Sequence, residues 1–124
     1  MKRVFLILTL VLTVFMRMSA DDPALANINL QHKGHDDHSE YYPPADMPEV
    51  YFDTDNLEII IVADGFASYY DVDIVSQSTQ LAVISTQVDG YGDTIDVYSL
   101  PDDDYTIIIT SSNNNEYVGQ FTNY

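Results

Sequence analysis

The chain has 124 residues, twenty of them Asp or Glu and only four Lys or Arg, for a formal charge of −16. Such a chain repels phosphate backbones and anionic headgroups, whose binding rests on clustered Lys and Arg, so nucleic acid is excluded as a partner. There is no cysteine, which rules out both disulfide bracing and a lipid-bearing cysteine.

The first twenty residues, MKRVFLILTLVLTVFMRMSA, have the layout of a secretory signal peptide. Lys2 and Arg3 precede an apolar run over residues 4–15, broken only by Thr9 and Thr13, and small Ser19 and Ala20 follow. Twelve residues rise about 18 Å as a helix, short of a hydrocarbon core of about 30 Å. A cleaved leader is therefore expected rather than a membrane span. Cleavage after Ala20 is the preferred point, with Met18 at the third position back; residues 24–26, ALA, fit the small-x-small rule better but lie beyond two aspartates. Removing residues 1–20 takes away Lys2, Arg3 and Arg17 and no acid, leaving Lys33 against all twenty acids. The expected product is exported, to the periplasm or beyond, with its acidity serving solubility.

After the leader, ANINLQ alternates, with Ile28 and Leu30 on one face. The next stretch, HKGHDDHSEYYPPADMP, has no sustained apolar period and contains Pro43, Pro44 and Pro48, so it reads as a polar strap. The domain reading is a signal peptide at 1–20, an N-terminal strand and His/Asp/Pro strap at 21–47, and a β-sandwich core at 48–124.

From Val50 onward the texture changes. Short apolar runs recur every eight to twelve residues: EVYF, LEIIIV, YYDVDIVS, LAVISTQV, TIDVYSL, YTIIITS and EYVGQF, separated by Asp, Asn, Gly, Ser and Pro. They are rich in Ile, Val, Tyr and Thr, which suit a pleated, half-buried surface. Tyr70, Val72 and Ile74 share one face and Asp71 and Asp73 the other; Ile95 and Val97 likewise oppose Asp96. The fold class is all-β: a single immunoglobulin-like antiparallel β-sandwich of seven to eight short strands. EIIIV and YTIIIT break the alternation, because Ile60, Val62 and Ile108 fall opposite the core-facing isoleucines. Either the N-terminal segment covers them or they face a partner.

These residues carry a resemblance. INL, a polar strap, PEVYFDTDNLEIII, VDIV, TIDVYSLPDDDYTIIIT and a closing EYVGQF together resemble a family of small secreted proteins from Bacteroides-type bacteria, catalogued as a domain of unknown function. The likeness covers most of residues 26–122. It implies an immunoglobulin-like β-sandwich and export, and it supplies no activity. LPDDDYTIIIT is similar to the Leu-Pro-x-Gly-x-Tyr pattern that precedes a late strand in many bacterial β-sandwich modules, with Leu100 in the core, Pro101 at the turn and Tyr105 opening the strand. Asp103 stands in the glycine's place, which leaves the turn type open. The same ending resembles C-terminal sorting modules, although GQFTNY lacks their basic residues.

The candidate chemistry is sparse. All three histidines lie in the strap, and His32, His35 and His38, with Asp36 and Asp37, are the candidate metal ligands. In an extended strap, three residues span roughly 9 Å, so one ion could gather two of the histidines and not all three. DTDNLE opens like a calcium loop, but Leu57 takes the third ligand position and Glu58 the place of the required glycine. A hairpin turn capped by Asp53, Asp55 and Asn56 explains it instead. Neither Ser76, Ser99 nor Ser111 sits in a nucleophile turn, and no enzyme is expected. Ten tyrosines and no tryptophan leave Tyr41, Tyr42, Tyr69 and Tyr98 as exposed candidates for stacking on a glycan or a protein.

The expectation is a non-enzymatic, extracytoplasmic protein acting by binding or assembly, with an unidentified protein or glycan of the cell envelope as partner. Its contact surface would be the face bearing Ile60, Val62 and Ile108, or a sheet edge. The alternative is a divalent-cation-binding accessory protein. No cofactor is expected beyond weak zinc on the histidine strap or weak calcium on the aspartate-rich turns.

Overall fold

The computed structural model describes residues 25–33 and 44–124, which form nine β-strands and no helix. In chain order these are β1 (Leu25–Ile28), β2 (Gln31–His32), β3 (Glu49–Asp53), β4 (Glu58–Val62), β5 (Tyr69–Ser76), β6 (Ala82–Asp89), β7 (Gly92–Asp96), β8 (Asp103–Ser111) and β9 (Glu116–Asn123). One sheet has the order β1-β3-β4-β7 and the other β2-β9-β8-β5-β6, and every pairing is antiparallel. The seven runs from Val50 onward supply β3 to β9. The two extra strands are β1 and β2, so the sheets take in residues on both sides of position 48.

Alternation decides what is buried. Tyr70, Val72 and Ile74 of β5 and Tyr105, Ile107 and Ile109 of β8 turn inward from the five-stranded sheet. Val50 and Phe52 of β3 and Ile59 and Ile61 of β4 meet them from the other sheet. Each such aliphatic side chain, fully removed from water, contributes about 1.5–3 kcal/mol. Asp71 and Asp96 lie outside, and Ile95 and Val97 inside. The TIDVYSL run leaves its sheet earlier than expected. At Asp96 the side chain accepts the Tyr98 amide at 2.8 Å, and Leu100 N–H closes a turn on the Val97 carbonyl at 3.1 Å, so strand pairing ends at Asp96.

Crossings between the sheets set the edges. The chain leaves β1 and enters β2 directly over Gly119 of β9, where a Cβ would lie 2.7 Å from Ile28 Cγ2 and 3.0 Å from the Asn29 carbonyl oxygen. At the opposite end, β6 passes to β7 through Gly90 and Tyr91. Gly92 then takes a φ of +102°, with its α-carbon so close to β4 that a Cβ would fall 1.9 Å from the Ile61 oxygen. Near β8, the Tyr105 hydroxyl donates to the Pro101 carbonyl four residues upstream, the tyrosine corner of immunoglobulin-like sandwiches.

Candidate functional site

The histidine strap enters the fold at its first member. His32 lies in β2 opposite Tyr117 of β9, its ring 5.4 Å from the Tyr117 ring and tilted by 39°. Lys33 follows, donating its amide to the Glu116 carbonyl at 2.8 Å and its ammonium to the Glu116 carboxylate at 3.1 Å. His35, Asp36, Asp37 and His38 lie outside the described residues, as do Tyr41 and Tyr42. Among the described residues, no three His, Cys, Asp or Glu side chains are grouped to hold a metal ion.

Sequence reading missed the other end of the strap, where Asp46 is buried at 3 % exposure. One carboxylate oxygen accepts the Tyr117 hydroxyl. Asn115 Nδ2 reaches both oxygens at 3.2 Å, and Asn113 Nδ2 reaches Oδ2 at 3.0 Å. The Asp46 carbonyl in turn accepts the Tyr70 hydroxyl at 2.7 Å. Burial pushes the Asp46 carboxyl up, but hydrogen bonds from Ser111, Tyr117, Asn113 and Asn115 outweigh it and hold the group below the usual aspartate value. Burial, with the nearby charges of Asp46 and Asp64, pushes the Tyr70 phenol up to about 12. The arrangement ties the strap to the β8–β9 hairpin. Its signal in the sequence was faint: an acid between two prolines, and an NNN turn with no stated purpose.

The aspartate-rich turns are built the same way. Asp53 accepts the amides of Asp55 and Asn56 at 3.0 and 3.1 Å and the Asn56 side chain at 2.8 Å. Burial works against the Asp53 charge, and the bonds from Asn56 and Asp55 lower its pKa overall. The expected hairpin turn is therefore present, capped by Asp53 alone of the three residues named for it, with Leu57 in the left-handed region at φ 54°. Asp103, the residue in the glycine's place, has no left-handed backbone; among non-glycine described residues only Leu57, Gln80 and Asn114 do. Its carboxylate instead accepts the hydroxyls of Ser76 and Ser78, the latter at 2.6 Å, and stitches the start of β8 to the β5–β6 turn. Those two bonds lower its pKa. Ser76 and Ser111, both buried, thus have their hydroxyls engaged with Asp103 and Asp46.

The candidate partner residues do not form one surface. Ile60 and Val62 lie on the outer face of the four-stranded sheet, Ile60 beside Tyr51 and Thr94. Ile108 lies on the outer face of the five-stranded sheet, between Asp73 and Val118, on the opposite side of the sandwich. Periodicity separates inward from outward positions, but it does not tell which sheet a strand joins. Neither Ile60 nor Ile108 is fully exposed; both are half-buried by their cross-strand neighbours. The described N-terminal residues cover neither of them, because β1 extends its sheet edge to edge with β3.

The most accessible pairing surface is the edge of the five-stranded sheet at β6. Eight residues long, β6 is bonded to β5 on one side, and among the described residues no strand pairs with the other side. Residues 74–88 carry no charge, bounded by Asp73 and Asp89. Its inward face is covered fully only at Val88 and in part at Ile84, while Thr86 points inward yet is exposed. The other edges are blunted. β1 has four residues, β2 two, and β7 carries Asp93 and Asp96.

Comparison with known proteins locates the fold. No family model matches the chain, and no curated protein matches it. Among solved structures it is similar to a DUF3244 family protein from Bacteroides vulgatus with an immunoglobulin-like β-sandwich fold, at a TM-score of 0.63 and 15 % identity, over 81 % of this chain and 99 % of that one. The two share the immunoglobulin-like β-sandwich fold, and at that identity the likeness is one of fold.

Proposed function

We propose that this is an exported, non-enzymatic β-sandwich protein that acts by binding or assembly, through the open edge at β6. The edge, uncharged from Ala82 to Val88 and unpaired among the described residues, carries this reading, because such a strand presents a row of backbone N–H and C=O groups to any extended chain. Two further features support it. The buried Asp46 and Asp53 and the half-buried Asp103 are engaged in internal turns and staples. The first twenty residues have the signal-peptide layout, and mass spectrometry of the exported chain is expected to find Asp21 at its start.

Site-specific photo-cross-linking in exporting cells tests the surface. A photoreactive residue replacing Gln87 of β6 is expected to yield a discrete cross-linked species, while one replacing exposed Thr94 of β7 yields none. Equal products from both positions, or none from position 87, would overturn the reading.

A further inference from the structure

We infer that β6 pairs with β6 of a second copy of this chain, antiparallel about a two-fold axis at Ser85, joining two five-stranded sheets into one of ten. The inference rests on the binding-or-assembly reading and names its partner.

Charge placement selects this occupant and this register. In a chain of twenty acids, two copies meet without like charges in contact only along an uncharged seam, and residues 82–88 provide one on a strand edge. Centring the pair on Ser85 aligns that stretch with itself: Ile84 meets Thr86, and Val83, the extra residue of a β-bulge against β5, meets Gln87 where regular pairing ends. Asp89 then faces the partner's Leu81. The two Asp89 residues lie about 27 Å apart, at about 3.4 Å per residue. Asp73, beside Ser85 on β5, is separated from its counterpart by three strand spacings, about 14 Å. Both distances exceed the screening length of about 8 Å at physiological ionic strength. Shifting the register by two residues in either direction shortens the uncharged overlap within the two strands and moves Asp89 of each copy onto residues 79 or 83.

Faces match as well. Ile84 and Thr86 are on the inward side of the sheet, opposite Ile74 and Val72 of β5, and Ser85 and Gln87 are on the outward side, opposite Asp73 and Asp71. Antiparallel pairing about Ser85 keeps Ile84 and Thr86 of both copies on the inward side, so the half-buried Ile84 gains the methyl-bearing side chain of the partner's Thr86 as a cross-strand neighbour, and the bulge at Val83 ends the matched stretch before Ala82.

Sedimentation equilibrium and disulfide trapping test this. Wild type is expected to dimerise, more tightly at 500 mM than at 50 mM salt. S85D, which places four acids in a row with the two Asp73, is expected to weaken the dimer at least tenfold. The chain has no cysteine, so S85C is expected to trap a disulfide dimer under a mild oxidant. Q87C, whose copies would lie about 14 Å apart in this register, is expected not to trap one. A monomeric wild type, an undiminished S85D dimer, or equal trapping by Q87C would each overturn the inference. A monomer in solution, combined with a position-specific cross-linked species at residue 87 in cells, would overturn self-pairing and leave the binding reading standing.

Discussion

The two ends of the five-stranded sheet are finished in opposite ways. At the β2 end the strand has two residues, its histidine ring lies against Tyr117, and Lys33, the only base beyond residue 20, pairs with Glu116. Just before β2, the chain has crossed tightly over Gly119 from the other sheet. At the β6 end an eight-residue strand, uncharged up to its last residue Asp89, has no strand on its outer side among the described residues. Short edges, charges and covering segments are the usual means of preventing strand addition. Among the described residues the β2 end shows a short strand and a charged pair, whereas β6 shows only a bulge at Val83 and a terminal Asp89, so the open end has the form of a surface, and the closed end that of a seal. The comparison makes a physical demand: changes at the seal should cost stability, and changes at the edge should cost association.

The largest expected effect is at the seal's anchor. Asp46→Ala removes the buried carboxylate that accepts the Tyr117 hydroxyl, the half-buried Asn115 amide and the exposed Asn113 amide, and should cost about 2–4 kcal/mol in chemical denaturation. The same carboxylate sets an acid dependence. Its folded pKa lies below its unfolded value, so its contribution is full above the unfolded pKa of about 3.9 and is lost as pH falls through the folded value. Asp103 and Asp53 act in the same direction. Thermal stability should thus be level from pH 7 to about 5 and fall below about 4, with a shallower fall in Asp46→Ala. A variant with an unchanged acid slope would show that Asp46 is not the anchor.

An intermediate effect is expected at the crossing. Gly119→Val brings a branched side chain against Ile28 and Leu30, and overpacking of this kind costs about 1–3 kcal/mol. The cost should appear in equilibrium unfolding, with faster amide exchange in β1 and β2 than in β5. If the loss is below about 0.5 kcal/mol, the β1–β2 crossing yields easily and the seal is weaker than its geometry implies.

These regions differ in how far the sequence disclosed them. Strand faces were legible wherever alternation was strict, as in Tyr70, Val72 and Ile74, because burial on one face forces a period of two. The Asp53 turn was legible because local bonds make it, whereas β8 opens at Asp103, two residues before the expected Tyr105, because Asp103 and Asp104 already pair with Asn123 and Thr122 of β9. Asp46 was not, since Tyr117 and Asn115 lie 71 and 69 residues further along the chain and nothing local marks the pairing. Ile60 and Ile108 were correctly placed outside the core but wrongly on a common face, because sheet membership is decided by long-range pairing. The edge character of β6 was hidden for the same reason. The lack of charge over residues 74–88 was visible in the sequence, and it acquires meaning only once no strand is found beside β6 among the described residues.

The smallest expected effect on stability is at that edge. Gln87 is exposed on β6, and its amide donates to Asp71 at 3.0 Å. Gln87→Lys replaces that bond with a solvated ion pair, and exposed pairs contribute about 0–1 kcal/mol, so folding stability should shift by less than about 0.5 kcal/mol. Lysine is nevertheless among the residues that most effectively block strand addition at an edge. Association should therefore weaken while the unfolding curve stays in place, the inverse of the Gly119→Val result. If Gln87→Lys unfolded the protein as readily as Asp46→Ala, β6 would be part of the seal's cooperative structure, and the contrast between the two ends would fail.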